Sequence, residues 1–279
     1  MNNARTLSGP YLFPEGRVQI AFSGGRTSAY MLHHLLEANG SFDPARVQVV
    51  FGNTGREMPQ TLDFVRECGK RWGVPIVWVE YRPALPLFEV VDFASASRCG
   101  EPFSDLIVRK RALPSQARRW CTSELKVLAA HRYLRSIGWR EYSKAVGIRA
   151  DEAHRMTGDD KDANVTRWRP LVEAGVTKTQ VLAFWDRQCF DLRLPRHSSL
   201  GNCDGCFLKS EVALAALARD YPERHAWWQS QEAATGWTWT DRYTRAALAD
   251  RVQRQGDWLF STDGVLCQAN DGECTDDAA

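Results

Sequence analysis

The segment Ser23-Gly-Gly-Arg-Thr-Ser28 is the first stretch of the chain whose residue types could do chemistry. Paired glycines let a backbone turn tightly and present bare N–H groups. Hydroxyls add donors, and a helix opening directly afterwards adds the positive end of its dipole. Ser23, Gly24, Gly25, Arg26, Thr27 and Ser28 are therefore candidates for holding nucleotide phosphates, although an ordinary strand-to-helix turn capped by Thr27 or Ser28 reads the same way. Cys203 and Cys206 are separated by two residues, a spacing that lets two thiolates meet one metal ion or cluster and that redox dithiols share. Lys126 offers a movable point charge and Arg149 a planar fork; both suit phosphate or sulfate oxygens, and both also suit an intrachain ion pair.

These residues need elements to position them. Arg17–Phe22 alternates and is bounded by glycines, which predicts a strand running into the loop. A helix follows from about Thr27 and stops near Asn39-Gly40. Val47–Phe51 reads as a second strand, Thr61–Trp72 as a helix and Ile76–Tyr81 as a third strand. This order argues a doubly wound parallel α/β sheet, Rossmann-like, with helices on both faces. Pro83, Pro86, Pro102 and Pro114 cut residues 82–121 into short pieces. Beyond them come a helix over Thr122–Ser136, a strand over Tyr142–Ile148, a helix over Thr177–Gln188 and another over Ser210–Arg219. Composition shifts near residue 195, so residues 1–195 are expected to form the nucleotide-binding domain and 196–279 a helical C-terminal region containing cysteines. The tryptophans after Tyr221 read as a small helical core, with base stacking as the alternative.

With 279 residues, 44% apolar and 25% charged, the chain can bury a sizeable core and is neither disordered nor membrane-spanning in composition. No apolar run approaches the roughly 20 residues that cross a bilayer, and residues 1–16 hold no signal-peptide stretch, so a cytoplasmic location is expected. Eight cysteines in a reducing compartment read as thiols or metal ligands rather than disulfides, with Cys68 and Cys189 as core thiols. Net charge is only +2, yet residues 104–150 carry 11 Lys/Arg against three Asp/Glu. Such a stretch suits an anionic ligand, a nucleotide or a nucleic-acid backbone, or else a solvated helix face.

The loop resembles the SGGxDS signature of the PP-loop ATP pyrophosphatases: Ser23, Gly24, Gly25 and Ser28 match, and Thr27 stands where the family has aspartate. That departure leaves the handling of magnesium and pyrophosphate undecided. Further blocks, in order over residues 17–210, resemble the phosphoadenosine phosphosulfate (PAPS) reductase family. They are Asn53-Thr-Gly55 with Glu57 and Pro59, Cys121 to Lys126, Val146-Gly-Ile-Arg149 with Glu152 and Arg155, Arg169-Pro-Leu171, and Gly201 to Cys206. The resemblance implies that Asn53, Thr54 and Gly55 line an adenosine pocket, that Gly147 and Arg155 join the nucleotide site, and that Lys126 and Arg149 act in catalysis. In adenylyl-sulfate reductases of this kind a CC pair and a later CxxC hold a [4Fe–4S] cluster; Cys121, Cys203 and Cys206 match three of those ligands and Trp120 replaces the fourth. Cys274 is the expected recruit, as a fourth ligand or, because Glu273-Cys274 resembles a C-terminal ECG motif, as a nucleophile.

The resemblance implies an adenine-nucleotide-dependent enzyme of sulfur chemistry. One form uses ATP to adenylate an acceptor and then transfers sulfur; the other binds a sulfonucleotide (PAPS or APS) and reduces it. A zinc-stapled nucleotide-binding subunit of a nucleic-acid modification or defence complex is the reading from another class. Expected cofactors are ATP or PAPS/APS, a [4Fe–4S] cluster with zinc as the alternative, and magnesium. Expected partners are a sulfur or electron donor protein and a nucleic-acid substrate, with no membrane.

Overall fold

The computed structural model describes residues 9–152, 163–195 and 200–255. Six strands form one sheet in the order β4-β3-β2-β1-β5-β6. β1 (Val18–Phe22) lies between β2 (Val47–Asn53) and β5 (Tyr142–Ala145), parallel to both. β3 (Ile76–Glu80) extends the parallel sheet on one side and β6 (Val165–Trp168) on the other, while β4 (Glu89–Val91) closes one edge antiparallel. The chain winds outward from β1 through β2 and β3, then returns to β5. The switch point of the topology therefore falls between β1 and β5, where open α/β sheets leave a crevice for ligands.

Strand alternation sorts the side chains onto two faces. Val18, Ile20, Phe22, Val49 and Phe51 join the larger core with α1 (Arg26–Asn39) and α2 (Pro59–Trp72). Val50 and Val79 point the other way and pack with Ala129, Ala130 and Leu134. That second layer comes from one helical run: α4 (Trp120–Thr122), a π-helical segment (Ser123–Leu128) and α5 (Ala129–Ser136). The sequence predicted a regular helix over Thr122–Ser136. Wide π turns of this kind appear at functional positions, and this one contains Lys126.

Other expectations changed in detail. The proline-rich segment contains α3 (Glu101–Lys110), because Pro102 falls in the first helical turn, where a missing N–H costs nothing. The strand expected over Tyr142–Ile148 leaves the sheet after Ala145. β4 and β6 carried no periodicity long enough to read. α6 (Pro170–Glu173) and α7 (Lys178–Trp185) follow β6, the latter with a capping box at Thr177. Cys68 is a core thiol as expected, but Cys189 is exposed and accepts from Arg71 Nη1 at 3.4 Å.

The C-terminal helices α8 (Glu211–Asp220), α9 (Pro222–Thr235) and α10 (Arg245–Gln255) continue the packing. Trp228 and Trp239 are buried against Phe103 and Trp227, so these three tryptophans build a core, whereas Trp237 is exposed and Trp258 lies outside the described residues. Buried Asp204 ties this layer to the sheet, accepting from Arg56, Arg224 and Trp228 Nε1. Among the described residues no helix is long and apolar enough to cross a membrane.

Candidate nucleotide and thiol site

The loop after β1 has the geometry of a candidate anion site. Gly25 caps α1 with no side-chain hydrogen bond, so the first-turn amides open toward the loop. Ser28 Oγ lies 2.9 Å from Ser23 Oγ and donates to Gly25 O at 3.0 Å, which fixes both hydroxyls. Gly24 has φ +78, and a Cβ there would meet Thr61 Cγ2 at 2.8 Å. Its lack of a side chain therefore serves the packing of the loop on α2. Gly147 closes the other wall: a Cβ would meet Ser28 Cα at 3.3 Å. Arg26 turns its guanidinium away, to Asp191 (2.7 and 2.6 Å) and Leu194 O, so only its backbone belongs to the loop.

Arg149 reaches this loop from the end of β5. Its Nη1 donates to Thr27 Oγ1 at 3.1 Å, its Nε to Asp151 at 3.0 Å, and Glu152 lies 3.6 Å from Nη2. The fork is thus locked beside the residue that stands in the aspartate position. Asn53 lies elsewhere. Its amide donates to Glu80 Oε1 (2.5 Å) and Ser97 O (2.9 Å), and its Oδ1 accepts from Gly55 N, which makes it a fully buried strut of the turn. Thr54 donates to Glu57 and has its Oγ1 3.3 Å from Cys203 Sγ. Arg155 and Cys274 lie outside the described residues.

Two cavities meet at this end of the sheet. One is lined by Gln19, Ala21, Ser23, Ser28, Gly147 and Lys126. The other is lined by Cys121, Cys203, Cys206, Thr54, Asn202 and again Lys126. Cys203 and Cys206, paired by spacing, and Cys121, added by the resemblance, thus line one cavity although Cys121 is far from the others in sequence. Among the described residues the group of possible ligand atoms lying within 4.8 Å of one another is His33, His34 and Glu37 on α1. Cys121, Cys203 and Cys206 do not form such a group, so at least one pair of their sulfurs lies more than 4.8 Å apart.

The cysteine cavity is rich in donors. Lys126 Nζ donates to Asn202 Oδ1 at 3.4 Å and lies 3.7 Å from Glu57 Oε1. Asn202 is buried with a left-handed φ of 53, and its Nδ2 has no hydrogen-bond partner among the described residues. Burial pushes the Cys203 thiol up to about 12, against the opposing pull of Lys126. Asn202, Glu57 and Gln19 were not picked out as site residues from sequence. For Asn202 the available signal was an asparagine inside the Gly201–Cys206 block; for Gln19 it was an amide in an otherwise apolar buried strand.

A glycine-bearing loop running into a helix N-terminus at the switch point of the sheet is the position where open α/β proteins place their ligand sites. Residues 17–191 match the phosphoadenosine phosphosulfate reductase domain, and the chain belongs to that family. Over 211 residues it is 34% identical to the uncharacterized nin region protein ORF290 of Escherichia phage lambda, covering 72% of this chain and 69% of that protein. Among solved structures it is similar to the PAPS reductase of Candida auris in its phosphate complex, at 17% identity and a TM-score of 0.44, covering 64% of this chain and 79% of that one. It is also similar to the U34-tRNA thiolase NcsA of Methanococcus maripaludis with its [4Fe-4S] cluster, at 13% identity and a TM-score of 0.37, covering 88% and 84%.

Proposed function

We propose that the chain is an enzyme that binds ATP at the Ser23–Ser28 loop, activates an acceptor as its adenylate, and transfers sulfur to it from the neighbouring cysteine cavity. The observation that carries this reading is that Lys126 lines both cavities. A nucleotide whose phosphates rest on the loop would have its α-phosphorus within reach of the same cation that faces the thiols. Lys126 then neutralises charge that builds on the leaving adenylate oxygens, and Arg149 holds the phosphate end through a guanidinium already locked beside Thr27. Arg155 and Cys274 keep their expected roles as nucleotide contact and as ligand or nucleophile.

Cys121, Cys203 and Cys206 would hold the metal group. Three thiols lining one cavity, with the unpartnered Asn202 Nδ2 beside them, would suit a [4Fe–4S] cluster, with Cys274 as a further ligand. Such a cluster supplies a Lewis-acidic iron for sulfur binding or an electron for reduction. The residues around it exclude water and fix the direction of approach. The basic stretch supports an anionic acceptor, nucleic acid included; part of it is committed, with Lys110 and Arg132 both on Glu124.

The deciding experiment is anaerobic purification with iron, sulfide and zinc analysis, followed by parallel assays with ATP and with PAPS or APS. Pyrophosphate release from ATP that depends on an added acceptor supports the proposal. Sulfite release from PAPS or APS, with ATP unbound, replaces it by the sulfonucleotide reductase reading. Stoichiometric zinc and no turnover of either nucleotide replaces it by the zinc-stapled binding module.

A further inference from the structure

We propose that Gln19 reads the adenine base, accepting from the exocyclic N6 amine and donating to N7. This rests on the nucleotide reading above and adds the residue that selects the base. Gln19 is on β1, on the face shared with Ala21, and is 3% exposed. It lines the same cavity as Ser23, Ser28, Gly147 and Lys126, with Ala21, Val50 and Ala130 among the apolar residues there. Among the described residues its side-chain amide makes no hydrogen bond. Its register partner on β2, Gln48, differs: Nε2 donates to Pro44 O at 2.7 Å and Oε1 accepts from Tyr133 at 3.0 Å. The Gln19 carboxamide thus faces the cavity with its donor and acceptor uncommitted, and a ligand offering one acceptor and one donor side by side can engage both.

The distance fits a nucleoside. Gln19 lies four residues before Ser23, so about 13 Å of strand at about 3.3 Å per residue separates it from the phosphate loop. That leaves room for a ribose between base and phosphates. The chemistry selects adenine, whose N7 and N6 amine present an acceptor beside a donor and match one carboxamide in a bidentate pair. Guanine shows two acceptors, N7 and O6, at the same edge and cannot satisfy the amide oxygen. The resemblance to the family assigned adenosine to the Asn53–Gly55 turn, but the Asn53 side chain is already held by Glu80, Ser97 and Gly55.

The test compares binding of ATP, GTP and inorganic tripolyphosphate to the wild-type protein and to Gln19→Met, an apolar side chain of the same length, with Gln19→Leu as the second variant. The wild type should prefer ATP to GTP, and Gln19→Met should lose that preference while ATP affinity falls by about tenfold, which is 1.4 kcal/mol. Tripolyphosphate should bind all forms alike. The nucleotide-free variants should melt at the wild-type temperature or above, because no internal hydrogen bond is lost. Unchanged ATP affinity and preference in both variants overturns the role of Gln19, as does a large drop in their nucleotide-free melting temperature. A wild-type protein that binds neither ATP nor tripolyphosphate overturns the nucleotide reading itself, and Gln19's role with it.

Discussion

Lys126 Nζ stands 3.7 Å from the buried carboxylate of Glu57, and that carboxylate also accepts from Thr54 N and Thr54 Oγ1. The contact holds a cation at the boundary of two cavities. Gly52 permits it: a Cβ there would lie 3.2 Å from Lys126 Cα, so the π-helical segment can press against the end of β2. Lys126→Ala is expected to lower nucleotide-dependent turnover by about ten- to hundredfold, the scale of one charge-assisted contact of roughly 1.5–3 kcal/mol. Glu57 keeps its Thr54 donors, so the melting temperature should move little. A stability loss larger than the activity loss would make Lys126 a structural partner of Glu57.

Arg149 calls for a different expectation from the one its sequence position suggests. A ligand-facing arginine should be removable at little cost to stability, but this one is 6% exposed and bound to Asp151, Glu152 and Thr27. Arg149→Ala should therefore weaken nucleotide binding and also lower stability by about 1–3 kcal/mol, since it strands a buried carboxylate. Arg149→Lys keeps the charge and loses the fork. Thermal melts with and without nucleotide separate the two effects: Arg149→Lys should lose more of the nucleotide-induced stabilisation than of the intrinsic stability.

Gly24 is expected to be a packing position first. A methyl group there meets Thr61 and Val65 of α2 and requires φ +78 of a non-glycine residue. Gly24→Ala should cost about 1–3 kcal/mol in nucleotide-free protein, read by chemical denaturation. If stability is unchanged while phosphate binding disappears, the glycine serves ligand approach instead.

Alanine at Cys121, Cys203 or Cys206 should each reduce bound iron and sulfide in anaerobically prepared protein, whereas Cys68→Ala should leave them unchanged because Cys68 is sealed in the core. Full iron content in any one of the first three variants would remove that cysteine from the ligand set.

His225 is buried, and burial holds its pKa below the usual histidine value; its Nε2 donates to Arg245 O at 2.9 Å, which the neutral ring can do. The folded state binds this proton less readily than the unfolded chain, whose histidine titrates near about 6.5. The resulting stabilisation is complete above that pH and is lost as pH falls below it toward the depressed folded value, by up to about 1.4 kcal/mol per pH unit for one proton. His34 is shifted in the same direction by burial and adds to the slope. His225→Gln retains a donor for Arg245 O and should flatten the stability profile between about pH 6.5 and 5 by close to one proton's share. Identical slopes in wild type and variant would contradict this.

The local features of the site were legible in sequence because each depends on neighbours along the chain. The turn of Ser23–Ser28 follows from paired glycines between an alternating strand and an amphipathic helix, and the parallel order follows from strands separated by helices. The pairing of Cys203 with Cys206 is a matter of spacing alone. What the tertiary structure decided are the contacts between distant segments. Lys126 meets Asn202 across 76 residues, and Arg149 meets Thr27 across 122. Neither periodicity nor spacing encodes those meetings, since they depend on how far the π-helical segment leans on Gly52 and on where the chain leaves the sheet after Ala145. The same holds for Asn53 and Gln19, two amides of similar chemistry. Packing gave one three hydrogen-bond partners and left the other facing a cavity, and only the assembled sheet determines which amide remains available to a ligand.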